Sequence, residues 1–390
     1  MQESATAAIF RRVAALRAQG EDVLALSLGE TEFEPPAHVT EAARRAIDEG
    51  SVRYTEVAGL AALRRAITND SSRRRGVVHA PDEVVVSAGA KHSLFNLAQV
   101  LFDHGDQVVI PTPAWGSYAE QARLCGAEPV FVPCTEADAF RIDAGALAAA
   151  LGPRTRAVVL CDPSNPTGAV HDPARWSAIA DALRGHTAWI VVDEIYAGLT
   201  HDGVEATSLL RVAPDLRDRL LIVDGVSKRY AMTGWRVGWL LAPRAVARAC
   251  ESVQSQATTS ISSVSQRAAL AALEGPQDAV VDMCEELGRR RDRMLARLAA
   301  IPGVHAARPA GAFYVFLHVG GLVGRRAGDV VLRDDVAVAE WLLDTVRVAT
   351  VPGSAFHTPG YLRLSYSVAP DVIDRACDGI ARAVASLAPG

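Results

Sequence analysis

Ala188-Trp189-Ile190-Val191-Val192-Asp193-Glu194-Ile195-Tyr196 is an apolar run cut short by two acids. A short unbroken apolar run rich in β-branched residues reads as a strand buried on both faces. Further strand candidates flank it: Glu83-Val84-Val85-Val86, Gln107-Val108-Val109-Ile110, Pro129-Val130-Phe131-Val132, Arg156-Ala157-Val158-Val159-Leu160 and Leu220-Leu221-Ile222-Val223. Amphipathic helical stretches lie between several of them. One has a legible start at Asp172-Pro173, an N-cap followed by proline in the first turn. This alternation from about residue 84 to 242 predicts an α/β fold, a mainly parallel sheet with helices on both faces.

Chemistry in such sheets gathers beyond the carboxyl ends of the strands. Four segments follow a strand directly: Ser87-Ala88-Gly89-Ala90-Lys91, Pro163-Ser164-Asn165-Pro166, Asp193-Glu194-Ile195-Tyr196 and Ser227-Lys228. From about residue 245 the chain is richer in helix, with Arg289-Arg290-Arg291 on one of them. Later strands are expected around Phe313-Tyr314-Val315-Phe316 and Leu362-Arg363-Leu364-Ser365.

Composition narrows the function. At 390 residues the chain can bury a large core, and 22% charged residues is ordinary for a globular enzyme. No apolar run reaches the ~20 residues of a membrane span. Met1 to Arg17 lacks the apolar core of a secretion signal, so a cytoplasmic protein is expected. A net charge of −5 argues against a nucleic-acid partner. The run Arg73-Arg74-Arg75 reads as a solvated helix end. Six cysteines show neither CxxC pairing nor metal-ligand spacing, as in a reduced chain with buried thiols and no metal.

Of 40 basic residues only two are lysines, Lys91 and Lys228. A lysine that persists among arginines marks a place where guanidinium cannot serve. Arginine forms no Schiff base with an aldehyde, whereas a desolvated lysine amine does. An aldehyde cofactor carrying a pyridine ring and a phosphate, pyridoxal 5'-phosphate, makes four demands, and the strand ends can meet them. Lys228 can supply the amine. Asp193 can keep the ring nitrogen protonated, which makes the ring an electron sink. Asn165, in an Asn-Pro-Thr-Gly turn, or Tyr196 can donate to the phenolic oxygen. Gly89, Ala90 and Lys91, where a strand meets a helix start, can offer backbone amides to the phosphate, and Arg236 can add a fork. Each motif alone also reads as ordinary turn or cap chemistry.

Ser227-Lys228-Arg229-Tyr230-Ala231-Met232-Thr233-Gly234-Trp235-Arg236-Val237-Gly238 resembles the signature of class I pyridoxal-phosphate-dependent aminotransferases. Ser164-Asn165-Pro166-Thr167-Gly168, Asp193-Glu194-Ile195-Tyr196, Gly311-Ala312-Phe313-Tyr314 and Leu362-Arg363-Leu364-Ser365-Tyr366 follow the family's order. With Ser255-Gln256-Ala257-Thr258-Thr259-Ser260, the likeness is greatest to the bacterial aspartate aminotransferase branch. The resemblance implies a fold type I homodimer with active sites at the subunit boundary. It implies a large cofactor-binding domain over residues 31–270 and a smaller α+β domain made of 1–30 with 271–390. Ser227 would join the cofactor contacts, Tyr54 would reach the partner's phosphate, and Trp115 would stack on the ring. Gly29 and Arg363 would receive the substrate α-carboxylate, and Lys91 the distal carboxylate of a dicarboxylic substrate. Ser4 and Thr6 match a segment that folds over the substrate in related enzymes.

Where the family commonly reads Gly-Glu-Pro-Asp-Phe, this chain has Gly29-Glu30-Thr31-Glu32-Phe33, and His92 replaces a common glutamine. These departures are expected to alter substrate contacts rather than cofactor chemistry. The expected reaction is transfer of an amino group between an amino acid, aspartate or glutamate as one donor, and a 2-oxo acid. A related elimination, cyclisation or oxidation on the same cofactor is the rival. A nicotinamide dehydrogenase is disfavoured, because no GxGxxG follows a strand.

Overall fold

The computed structural model describes residues 5–388. Ser4 lies outside the described residues, as does the side chain of Thr6. The chain begins with helix α1 (Ala5–Ala18) and a short strand, β1 (Leu24–Ala25), followed by α2 (Ala37–Asp48) and α3 (Ala61–Arg75). Seven strands then form the central sheet: β2 (Val84–Ser87), β3 (Gln107–Thr112), β4 (Glu128–Pro133), β5 (Thr155–Cys161), β6 (Trp189–Asp193), β7 (Leu220–Gly225) and β8 (Gly238–Leu241). Their spatial order is β2-β8-β7-β6-β5-β3-β4, and only β8 runs antiparallel to its neighbours. Every expected strand of this series is present.

Side-chain alternation explains why helices cover both faces. Val108, Ile110, Val159, Val191, Leu221 and Leu240 point one way, into a cluster with Leu94, Leu97, Tyr118 and Val246. These come from α4 (Ala90–Leu101), α5 (Ser117–Leu124) and, after β8, α9 (Arg244–Ala257). Their neighbours Val109, Val158, Leu160, Ile190, Val192, Ile222 and Leu241 point the other way. They meet Leu147, Trp176, Ile179 and Leu209 from α6 (Ala144–Ala150), α7 (Pro173–Arg184) and α8 (Leu209–Val212). Asp172 caps α7 by accepting from the Arg175 N–H at 2.7 Å.

Helices α10 (Ser263–Glu274) and α11 (Asp278–Leu298) lead to a second sheet. It contains β9 (His305–Ala306) and β10 (Tyr314–His318); beyond a small hairpin, β11 (Arg326–Ala327) with β12 (Val330–Val331), and α12 (Asp335–Val346), come β13 (Val348–Ala349), β14 (Val351–Pro352) and β15 (Tyr361–Ser365). The order is β14-β15-β10-β9, while β13 pairs with β1, and α13 (Pro370–Ala385) closes the chain. Arg363 therefore lies on a strand with neighbours on both sides and is 2% exposed. Among the described residues no helix is long and apolar enough to cross a membrane.

The solvated reading of Arg73-Arg74-Arg75 holds for Arg73 alone. Arg75, at the end of α3, is 1% exposed and pairs with Glu194 and Asp224, each at 2.7 Å. Arg74 contacts Asp70 at 3.1 Å and also Asp224. The helix turns these guanidinium groups inward, toward carboxylates that β6 and β7 deliver from far along the chain.

Gly238 shows how tightly β8 is pressed against the start of α4. A Cβ there would overlap the backbone of Gly89 and Ala90, which cannot yield as a side-chain tip can. Gly238→Ala is expected to cost about 3 kcal/mol of unfolding free energy, read as a lowered urea midpoint; an unchanged midpoint would show that the contact relaxes freely.

Candidate active site

The carboxyl ends of β5, β6 and β7 lie on one edge because these strands are parallel. At that edge lies a cavity of about 580 Å³. Its walls include Gly29, Ala90, Lys91, Trp115, Asn165, Asp193, Tyr196, Ser227, Lys228, Arg236 and Arg363. Of the residues singled out in the sequence, Gly89 stands just behind the wall, beside Arg236. Tyr54 is absent from the wall and is 90% exposed on the loop between α2 and α3. His92 accepts from the Ala88 N–H at 3.2 Å, and His357 stacks on Phe131 at 4.2 Å; neither lines the cavity.

Asp193 ends β6 and is 3% exposed. Its carboxylate accepts from the Tyr118 hydroxyl at 2.8 Å and from the Ile195 N–H at 3.1 Å. Among the described residues no cation makes an ion pair with it. Burial pushes its pKa up to about 6 against those two hydrogen bonds, which pull it down. Lys228, half-buried, donates to the Gly29 carbonyl. Burial, and next the Arg363 charge, lower its pKa to about 8. Its amine is thus uncharged in a usable fraction near neutral pH.

The same wall also carries cations. Arg363 donates to Asn165 Oδ1 at 3.0 Å and to the Ser27 carbonyl at 2.9 Å, and its Nε has no partner among the described residues. Its guanidinium lies 4.3 Å from the ring centre of Tyr314 and 5.0 Å from that of Phe356. Because Asn165 Oδ1 faces Arg363, its amide nitrogen is the group left to donate elsewhere. Tyr196 and Tyr314 share a hydroxyl contact of 2.9 Å. Arg236, in the left-handed conformation, donates among the described residues only to the carbonyls of Thr233 and Ala88. Gly89, at φ +90°, leaves room for it: a Cβ would stand 2.5 Å from Arg236 Nη2. Helix α4 starts there with no side-chain cap, so its first amides suit an anion. Lys91 Nζ lies 4.6 Å from the Trp115 ring centre, and burial, followed by the Arg236 charge, lowers its pKa.

Tyr118 and Tyr314 escaped the sequence reading as site residues. Tyr118 lies three positions beyond Trp115, one helical turn, which is the signal that could have found it. Tyr314 lies in a quoted motif, but its contacts with Tyr196 and Arg363 come from β10 packing across the sheet edge. Of the departures, Glu32 turns from the cavity to pair with Arg290 at 2.6 Å, and the buried Thr31 hydroxyl has no partner.

The profile of the family described as aminotransferase class I and II matches residues 21–380. An aspartate aminotransferase of Rhizobium meliloti is 40% identical over 97% of this chain and 93% of its own length. An aspartate/prephenate aminotransferase of Cereibacter sphaeroides is 38% identical over 99% of this chain and 97% of its own. Among solved structures, an aspartate aminotransferase from Rhizobium meliloti superposes with a TM-score of 0.96 at 39% identity, covering 100% of this chain and 98% of that one. One from Thermus thermophilus with maleate gives 0.92 at 39% identity, covering 98% and 97%.

Asp193 makes stability depend on pH. Its folded pKa of about 6 exceeds the 3.8 of an open chain, so the folded protein holds an extra proton between those values. Ionising it as pH rises costs stability, roughly 2 kcal/mol between pH 4.5 and pH 7. In the ligand-free protein Asp193→Asn should gain on the parent by that amount across this interval in urea unfolding; parallel curves would show an unperturbed carboxyl.

Proposed function

Because this chain belongs to the class I and II aminotransferases, enzymes that move an amino group between an amino acid and a 2-oxo acid, we propose that it uses pyridoxal 5'-phosphate on Lys228 and takes aspartate or glutamate as a donor. The observation that carries the reading is the pattern of unmatched charge in one cavity. A buried carboxylate lacks a cation, while Arg363, Arg236 and Lys91 lack anions among the described residues. For Asp193 and Arg363, which are buried, unpaired charge is costly, while Lys91 and Arg236 are exposed cations open to an incoming anion. A pyridinium nitrogen, a phosphate and a dicarboxylate would supply the missing partners.

The residues fit the cofactor as follows. Asp193 would face the ring nitrogen, which would then hold the acid ionised despite its burial. Trp115 would lie on the ring, and Asn165 Nδ2 and the Tyr196 hydroxyl would donate to the phenolic oxygen. Ala90, Lys91 and Ser227 would offer backbone or hydroxyl donors to the phosphate, Arg236 its fork, and Tyr54 its hydroxyl from a partner subunit. When bound, the cofactor supplies an electron sink that makes the substrate Cα–H acidic.

The chain's own groups do the rest. Arg363 grips the α-carboxylate, with Asn165 and Ser27 fixing the guanidinium from behind. The Gly29 carbonyl anchors Lys228 Nζ, whose uncharged fraction would accept the proton from Cα and deliver it to the carbon on the far side of the amino nitrogen. Lys91 meets the distal carboxylate. The similar Thermus structure with maleate, a dicarboxylate, supports a dicarboxylic ligand. We take residues 31–270 as the cofactor-binding domain, and 1–30 with 271–390 as the smaller one, whose β15 brings Arg363 to the site.

Aspartate and 2-oxoglutarate incubated with the enzyme should yield glutamate. Ammonia released without an acceptor would overturn transamination, and borohydride should fix the cofactor on the peptide containing Lys228. Lys91→Ala should lower kcat/KM for aspartate and glutamate by about 10- to 150-fold, the worth of a hydrogen bond to a charged group, while alanine or aromatic donors change little. Equal losses for all donors would remove Lys91 from substrate recognition.

A further inference from the structure

Behind the cavity wall lies a second set of ionised groups that the reaction does not use. Glu194 directly follows Asp193 yet faces the opposite side of β6. Its Oε2 accepts from Arg75 Nε at 2.8 Å, and its Oε1 from Ser208 at 2.5 Å. Asp224, in β7, accepts from Arg75 Nη2 at 2.7 Å through Oδ2 and from the Gly225 N–H at 2.7 Å through Oδ1. One guanidinium therefore ties the end of the strand that carries Asp193 to the strand that leads to Lys228. On the far side Asp70 holds Arg74 at 3.1 Å and Arg229 at 3.3 Å, and Arg229 directly follows Lys228. Arg74, Arg75 and Arg229 match these three carboxylates charge for charge, so the inner part of the cluster is neutral, while Arg73, 66% exposed, adds a solvent-facing guanidinium 3.5 Å from Asp70. Asp70, Glu194 and Asp224 side chains are each 5% exposed and Arg75 1%.

We propose that this balanced cluster, with Arg75 at its centre, is a positioning device that fixes Asp193 and Lys228 relative to each other and keeps both free of excess negative field. The proposal rests on the reading of those two residues as the cofactor's acid and amine. Apolar packing could fill the same space at no loss of stability, so a rigid fork joining two strands serves geometry and field more than stability. Asp193 feels Tyr118 from α5, Cys161 from β5, Asp224 and Lys228. Lys228 feels Glu30 from the loop after β1, Arg363 from β15, Arg236 and Asp193. Behind Arg75, His79 is held neutral, its pKa lowered to about 4, by burial and then by the Arg217 charge. The Arg75 charge contributes to that lowering.

The test uses the full chain and its two lysines, which mass spectrometry of the peptides distinguishes. Reductive alkylation with a small aldehyde, followed against pH in the cofactor-free chain, reads the Lys228 amine. Removing one positive charge by Arg75→Met should raise the Lys228 midpoint by about half a unit to one unit. It should also weaken pyridoxal 5'-phosphate binding about tenfold, because Asp193 is then harder to ionise. The double variant Arg75→Met with Asp224→Asn restores neutrality but not packing, and should bring the midpoint back toward the parent's. Arg74→Gln, at a more exposed position, should shift the midpoint in the same direction and covers the case in which Arg75→Met does not fold. Superimposable labelling profiles for the folded single variants would overturn the proposal, as would a double variant shifted as far as Arg75→Met. If the parent binds no pyridoxal 5'-phosphate, the cofactor reading falls, while the labelling profiles still decide this one.

Discussion

β6 and β7 lie side by side with Asp193 opposite Val223, so the chain leaves both strands at the same edge. That pairing sets an acid and an amine on neighbouring exits of one sheet, and the rest of the cavity is arranged around the distance between them. Parallel pairing makes this possible, because every such strand ends on the same side and each exit adds one functional group. Asn165 arrives from β5, and Lys91 with the uncapped start of α4 from β2. The antiparallel β8, kept close by Gly238, seals the edge where Arg236 stands.

Charge is distributed in two layers. In the cavity Asp193 and the cations Arg363, Arg236 and Lys91 make no ion pairs among the described residues. Behind it the inner charges are paired, with Arg75 bridging Glu194 and Asp224. A protein that buries unmatched charge gives up stability where it binds a partner of opposite sign. Pairing in the rear layer limits the field that reaches the front, although Asp224 still acts on Asp193. The choice between the two basic side chains follows the same division. Arginine's fork suits the bridges and the proposed carboxylate grip, while a lysine amine stands where proton affinity must be adjustable. The pKa of Lys228, near 8, is the outcome of that choice.

The Gly29–Phe33 loop illustrates how a departure from a family pattern can be absorbed locally. Glu32 reaches away from the cavity to Arg290, whose guanidinium also lies 4.7 Å from the Phe33 ring centre. The loop is thereby fastened to α11 without the proline. The Gly29 carbonyl still faces Lys228. The altered contacts therefore lie on the side of the loop away from the amine.

Local sequence alone determined the alternation of strands and helices from residue 84 to 242, because an apolar run and its period are written in consecutive residues. It also marked the four strand exits and the two lysines, since each is a short-range pattern. The inward turn of Arg75 was not legible, as its counter-charges lie 119 and 149 positions away and nothing in Arg73-Arg74-Arg75 distinguishes a buried guanidinium from a solvated one. The Tyr118 hydroxyl on Asp193, 75 positions away, and the rings of Tyr314 and Phe356 around Arg363 were hidden for the same reason. Sequence fixes which groups are available and in what local geometry; only packing brings distant ones within hydrogen-bonding range, and that range is where their charges acquire a role.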